Sequence, residues 1–223
     1  MNGDYSDLEI LCAGKVYRVH RSVICPRSDF FTAACRGGFK EAYEGKICLE
    51  DDDPRAVDLM IRYFYHLDYD ALVTKTPKPL ELAESAGTWK AEVDSELLMH
   101  AKVYALADKY LIGGLKILAL GKFETAARNN WHSKQFMDVL EEAYTSTVES
   151  DRGLKDAVVK IFSEHLDLLD KEKVQEILKN VGTLAYDLLM YLRRKGAVLS
   201  MSHAVSRKPG REVPRGFGWA SDV

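Results

Sequence analysis

The side chains able to do chemistry are few in this chain, and their spacing serves chemistry badly. His20 is followed by Cys25, with Ser22 and Asp29 nearby, the raw materials of a nucleophile and its imidazole base. Such a pair needs a thiol of depressed pKa and a third group that orients the ring, and nothing in the spacing selects one. Asp51-Asp52-Asp53 lacks the alternating oxygens, central glycine and terminal glutamate of a calcium loop. Glu164-His165 is followed four positions on by Leu169 rather than a second histidine, so it is not a zinc-protease helix. Neither Gly37-Gly38 nor Gly113-Gly114 continues to the Gly-Lys-Ser/Thr of a phosphate loop. Cys12, Cys25, Cys35 and Cys48 contain no C-x-x-C pair, and His20 does not repair that spacing for zinc. These readings predict no enzyme activity, no metal and no cofactor.

Composition narrows the class. The 223 residues carry a formal charge of −3 and are 47% apolar, ample for a buried core. Near-neutral charge argues against a strongly electrostatic nucleic-acid binder. No window approaches the roughly 18 apolar residues of a membrane span. The start Met1-Asn2-Gly3-Asp4-Tyr5 has no basic-then-apolar leader, and no Asn-x-Ser/Thr acceptor occurs. The expectation is an intracellular protein, cytoplasmic and/or nuclear, whose cysteines are reduced and largely buried.

The elements that must position these residues follow from periodicity. Residues 7–19 read as a hairpin, alternating around Leu8, Ile10 and Cys12 and again over Lys15-Val16-Tyr17-Arg18-Val19, with Ala13-Gly14 as the turn. A short helix at 20–25 stops at Pro26, and Ser28 caps the next. Gly37-Gly38 is expected to end that helix in the left-handed region. Residues 45–49 form a third strand. Asp51-Asp52-Asp53-Pro54 opens a helix, since carboxylates offset the dipole and proline at the first position loses no hydrogen bond. Residues 68–94, holding Pro77 and Pro79, read as a mobile insertion. From Ser95 the pattern is helical without proline until Pro209, with helices expected from Ser133 and Asp151. Residues 200–223 carry a net +2 against −5 for residues 1–199, with two prolines and three glycines, and read as a disordered basic tail. Phe217 and Trp219 within it are aromatics of the kind that dock on partners.

Three stretches, in order, resemble a BTB/POZ domain. They are Ser6-Asp7-Leu8-Glu9-Ile10 leading into Val19-His20-Arg21-Ser22-Val23-Ile24, then Ser28-Asp29-Phe30-Phe31 running to Gly38-Phe39-Lys40-Glu41, then Val103-Tyr104-Ala105-Leu106-Ala107-Asp108-Lys109-Tyr110-Leu111. The chain looks most like the short BTB proteins common in fungi. The resemblance implies an α+β fold, a small mixed sheet with an α-helical cluster over residues 1–130, followed by an all-α extension over 131–199. It implies a non-enzymatic protein–protein interaction module, an adaptor or assembly protein, with two further alternatives: a substrate adaptor of a cullin-type ubiquitin ligase, or a transcriptional regulator.

The resemblance also assigns residues. Asp7, His20, Phe30 and Phe31 belong to its structural motif, His20 bonding backbone where the second strand turns into a helix. Phe39-Lys40-Glu41 matches the hydrophobic-x-Glu element of scaffold-binding members, in which the aromatic anchors in an apolar cleft while the carboxylate seeks a donor. Tyr63 and Tyr65, on the following helix, complete the expected partner-binding set. Members that exchange their first strand carry an extra helix and strand before the position of Ser6. Only five residues precede it here, so the expected self-association is a homodimer without N-terminal strand swap. The helices after Asn130 are expected to pack on one end of the core as a buttress, leaving a groove for a partner.

Overall fold

The computed structural model describes residues 3–71, 88–145 and 147–205. Strands β1 (Leu8–Cys12) and β2 (Lys15–Val19) form the hairpin; Ala13 and Gly14 both take positive φ, as a two-residue turn between twisted strands requires. β3 (Lys46–Cys48) pairs parallel to β1, so the sheet is mixed with order β2-β1-β3. Leu8, Ile10 and Cys12 point to the core face.

Between β2 and β3 lie α1 (Arg21–Ile24), a 3-10 turn (Cys25–Arg27), α2 (Asp29–Arg36) and α3 (Lys40–Glu44). The Phe31 N–H donates to Ser28 Oγ at 3.1 Å, and that hydroxyl donates to the Tyr110 carbonyl at 2.6 Å. One buried cap thus starts α2 and fastens it to the end of a helix far along the chain. Phe31 fills the space between them, stacked on Tyr110 at 5.6 Å and edge-on to Phe64 at 5.8 Å.

α2 does not end as expected. Gly37 is extended, with φ −76° and ψ 172°. Its lack of a side chain matters for another reason: a Cβ there would lie 2.3 Å from the Phe39 ring. Left-handed helix ends fall instead on Gly45 and on two leucines, Leu67 (φ 56°) and Leu111 (φ 53°), at about 1–2 kcal/mol per non-glycine residue.

α4 (Pro54–His66) begins at the acidic run. Asp53 accepts from the Arg55 and Ala56 N–H groups and from Lys102 Nζ at 2.7 Å. Burial pushes its pKa up, but the Lys102 and backbone hydrogen bonds prevail and hold it below the usual carboxylate range. Asp52 accepts from Lys109 Nζ at 2.7 Å and from the Tyr110 hydroxyl. The run therefore caps α4 and also ties it to α5 (Thr88–Lys109). α5 starts within the expected 68–94 insertion, because its helical backbone extends N-terminal of Ser95. Residues 72–87 of that insertion lie outside the described residues, while Tyr69 and Ala71 at its start are buried.

α6 (Gly113–Asn130), α7 (Lys134–Thr145), α8 (Gly153–Glu164), a 3-10 turn (Leu166–Asp170), α9 (Glu172–Asn180) and α10 (Gly182–Val205) complete the chain. α6 and α7 pack on α5, α8 on α6 and α7, and α10 on α8 and α9. A single buried cluster includes both Leu8 and Leu188, so the helices after Asn130 share their core with those before it. α10 runs five residues past Ser200, into the stretch expected as tail; the remainder of that tail, with Phe217 and Trp219, lies outside the described residues.

A polar joint anchors α8 within this core. The Tyr104 hydroxyl donates to Asp151 Oδ1 at 2.6 Å, and Lys116 Nζ lies 3.0 Å from Asp151 Oδ2 and 2.6 Å from Asp108. A Cβ on Gly153 would sit 2.2 Å from the Tyr104 hydroxyl, so glycine lets the start of α8 approach α5.

Candidate partner-binding groove

An open groove of about 490 Å³ runs between α2, α3 and β3. Phe30, Ala33 and Ala34 from α2 and Ile47 from β3 supply its apolar surfaces; Lys40, Glu41, Glu44 and Lys46 form the rim. Phe39 enters from the loop before α3 and is 61% exposed. Its ring lies against the bare backbone of Gly37, which fixes it without burying it. On the rim, Lys40 pairs with Glu44 at 3.4 Å and Lys46 with Glu9 at 3.5 Å. Glu41 is exposed and, among the described residues, takes no ion pair. An apolar floor, an exposed ring and an exposed carboxylate thus stand side by side at the surface.

A larger cleft of about 990 Å³ lies between β2 and α4. Its charges are already matched, with Asp58 accepting from Lys15 at 2.7 Å and from Arg62 at 2.9 Å.

The expected partner-binding set divides. Phe39 and Glu41 share the groove. Tyr63 and Tyr65 do not line it; Tyr63 is buried and Tyr65 is half-buried. Tyr63 is buried with its hydroxyl where a Gly114 Cβ would fall, 2.2 Å away. Tyr65 accepts from the His20 backbone N–H at 3.0 Å, and its hydroxyl lies 2.8 Å from His20 Nδ1. α4 is one-sided: its buried face takes in Val57, Met60, Ile61, Tyr63 and Phe64, while Arg55 and His66 are exposed. Tyr43, 83% exposed on α3, and Ile47 in the groove wall were not singled out from sequence; an aromatic two positions after Glu41 was the available signal.

The motif residues act as struts. Asp7 Oδ1 accepts from the Arg21 N–H at 2.7 Å and starts α1 from across the hairpin. His20 Nε2 lies 2.8 Å from the Asp4 carbonyl. A carbonyl only accepts, so Nε2 carries the proton and Nδ1 accepts from the Tyr65 hydroxyl. Both ring nitrogens are thus occupied away from Cys25, whose thiol burial pushes up to about 11. An activated thiol needs the opposite shift. Phe30 is half-buried and edge-on to Tyr110 at 4.9 Å, while Phe31 is fully buried.

Among the described residues, no three His, Cys, Asp or Glu side chains converge as a metal requires, and no helix is long and apolar enough to cross a membrane. Residues 1–85 match the family model of the BTB/POZ domain. The chain carries a BTB/POZ domain. The match ends before α5 begins, with the groove and the His20–Tyr65 strut inside it. Kelch repeat and BTB domain-containing protein 4 of Mus musculus is 24% identical over 185 residues, which cover 83% of this chain. The chain spans 28% of that relative's length. A BTB/POZ domain marks a protein-interaction module, here an α+β fold with a small sheet and many helices.

Proposed function

We propose that this chain is a non-enzymatic adaptor or assembly module whose BTB groove receives an apolar segment of another polypeptide. The observation that carries the reading is Phe39, exposed over an apolar floor and two residues from the exposed Glu41 carboxylate. An apolar side chain of the partner fills the groove beside Phe39, and a partner lysine or arginine pairs with Glu41. Aromatic anchors in such centres are the residues whose truncation costs most in binding. Affinity capture with the wild-type chain and with the Phe39→Ala, Glu41→Lys double variant tests this. The variant keeps its helical circular dichroism and loses partners that the wild type recovers. Recovery of the same partners by both would remove the groove from the function.

A second reading names the occupant as a cullin-type ubiquitin-ligase scaffold, this chain serving as its substrate adaptor. It is favoured by the placement of a hydrophobic-x-Glu element directly after α2, with both side chains at the surface. Titration calorimetry against a purified cullin-type scaffold should show binding weakened more than about tenfold, or about 1.4 kcal/mol, by Phe39→Ala. No binding by the wild-type chain would dismiss this occupant while leaving the groove open to others.

A further inference from the structure

The sheet ends on an unpaired strand. β2 pairs with β1 and with no other described strand. On its other side β1 spends its Glu9 N–H on the Gly45 carbonyl at 2.8 Å and its Leu11 carbonyl on the Leu49 N–H at 2.7 Å. Backbone groups alternate along a strand, so β1 turns those of Leu8, Ile10 and Cys12 toward β2, where the register sets them opposite Val19, Tyr17 and Lys15. The N–H and C=O groups of Val16 and Arg18 therefore face outward, at the cleft between β2 and α4 that both residues line. Lysines on an edge strand ordinarily discourage pairing. Lys15 is instead drawn off the edge onto Asp58 at 2.7 Å, its ammonium 4.4 Å from the centre of the Tyr17 ring. Tyr17 also lines the cleft; it is 9% exposed, and its hydroxyl has no hydrogen-bond partner among the described residues.

Charge selects the occupant. On the solvent face Lys46, Glu9 and Arg18 lie in one row across the three strands, with Glu9 3.5 Å from Lys46 and 3.9 Å from Arg18. The signs alternate, and the row stops at the free edge on an Arg18 side chain that is 67% exposed. A carboxylate on a fourth strand would continue the alternation. Two residues along the same face that strand would meet Val16, which is exposed. We infer that the β2 edge takes up an extended segment of another polypeptide, with an acidic residue opposite Arg18 and a β-branched residue opposite Val16. The segment adds as a fourth strand, holding the outward N–H and C=O groups of Val16 and Arg18. Its intervening residues face the cleft, where a polar one meets the Tyr17 hydroxyl. β2 itself, Lys15-Val16-Tyr17-Arg18-Val19, holds no acid, so a second copy pairing edge to edge would not supply the carboxylate. The site lies at the opposite edge of the sheet from β3 and the Phe39 groove, and does not depend on the groove's function.

The probe is a blocked seven-residue peptide in which threonine alternates with valine and the central valine is replaced by glutamate. Its sequence reads the same in both directions, so it serves a parallel or an antiparallel fourth strand. Added to the full chain, it should slow amide hydrogen exchange, read by NMR, severalfold at Val16 and Arg18 and leave Tyr17, whose N–H faces β1, unchanged. The same peptide N-methylated along its backbone should bind about tenfold more weakly or worse. Arg18→Glu should weaken the glutamate peptide severalfold and strengthen a counterpart with lysine at the centre, a reversal that loss of structure does not produce. The Phe39→Ala, Glu41→Lys double variant should bind the peptide as the wild type does. Unchanged exchange at Val16 and Arg18 under excess peptide, or peptide-induced shifts confined to the groove around Phe39, would overturn the edge as a docking site. Equal binding of the glutamate and lysine peptides would overturn the acidic occupant. Protection of Val16 and Arg18 that grows with protein concentration in the absence of peptide, in step with a sedimenting dimer, would assign the edge to a second copy and overturn the proposal.

Discussion

The groove beside Phe39 and the joint around Asp151 are built from the same kinds of side chain put to opposite use. Each sets an aromatic next to a carboxylate and a lysine. At the joint the tyrosine hydroxyl donates to the carboxylate, the ammonium forms an ion pair with its other oxygen, and a glycine lets two helices close over them. At the groove the glycine instead seats an exposed ring, the lysines pair with other acids, and one carboxylate faces solvent. Burial turns the first set into stability; exposure leaves the second free to act between molecules. Mutation should therefore separate them cleanly.

The largest stability effect is expected at the joint. Asp151→Ala leaves the Tyr104 hydroxyl and the Gly153 N–H without their acceptor and Lys116 with Asp108 alone, and should cost about 3 kcal/mol, read as a lower urea midpoint at unchanged slope. A loss below half a kcal/mol would show that water replaces Asp151 readily. The next effect is one of pH. His100 is buried on α5 with the Tyr69 hydroxyl 2.8 Å from Nδ1, and burial first, then the Lys122 cation, lowers its pKa from 6.5 to about 4. The unfolded chain takes up this proton near pH 6.5 and the folded chain only near 4, so the contribution is intact above 6.5. It drains away as pH falls to 4, by about 3 kcal/mol in all. His100→Gln should flatten that part of the stability–pH curve, and an unchanged curve would point to carboxylates alone.

A smaller effect probes Tyr63. Gly114→Ala drives a methyl against the Tyr63 hydroxyl and should cost about 1–2 kcal/mol. With Tyr63→Phe the obstacle is gone, since the next ring atom is 3.5 Å away, and the same alanine should become stabilising through helix propensity. Alanine equally harmful in both backgrounds would place the strain elsewhere. The smallest effect belongs to the groove: Phe39→Ala with Glu41→Lys should shift stability by no more than about 0.5 kcal/mol. A drop several times larger would mean that Phe39 serves its own fold.

Where the sequence was informative, the cause was local. Ser28 and Asp53 stand immediately before helical patterns and reach backbone N–H groups two or three residues on. The hairpin rests on alternation and a two-residue turn. Phe39 and Glu41 were singled out through the resemblance, at the position of its hydrophobic-x-Glu element, and not through any periodicity of their own. The role of Tyr65 could not be read, because the partner of its hydroxyl, His20, lies 45 positions away. Leu67 and Leu111 in left-handed backbone contradict their own preferences; their side chains are exposed, and backbone hydrogen bonds close the helix ends there, from the Leu67 N–H to the Tyr63 carbonyl and from the Ile112 N–H to the Ala107 carbonyl, each at 2.8 Å. Tyr104 and Asp151 meet across 47 positions with no signal in between. The acidic run was legible as a cap, but its second role depended on where Lys102, Lys109 and Tyr110 would come to lie.

That second role has a practical corollary. Asp52 and Asp53 clasp the start of α4 to α5 directly, so neutralising Lys102 and Lys109 together would unbuckle the two helices at that end without touching the apolar core between them.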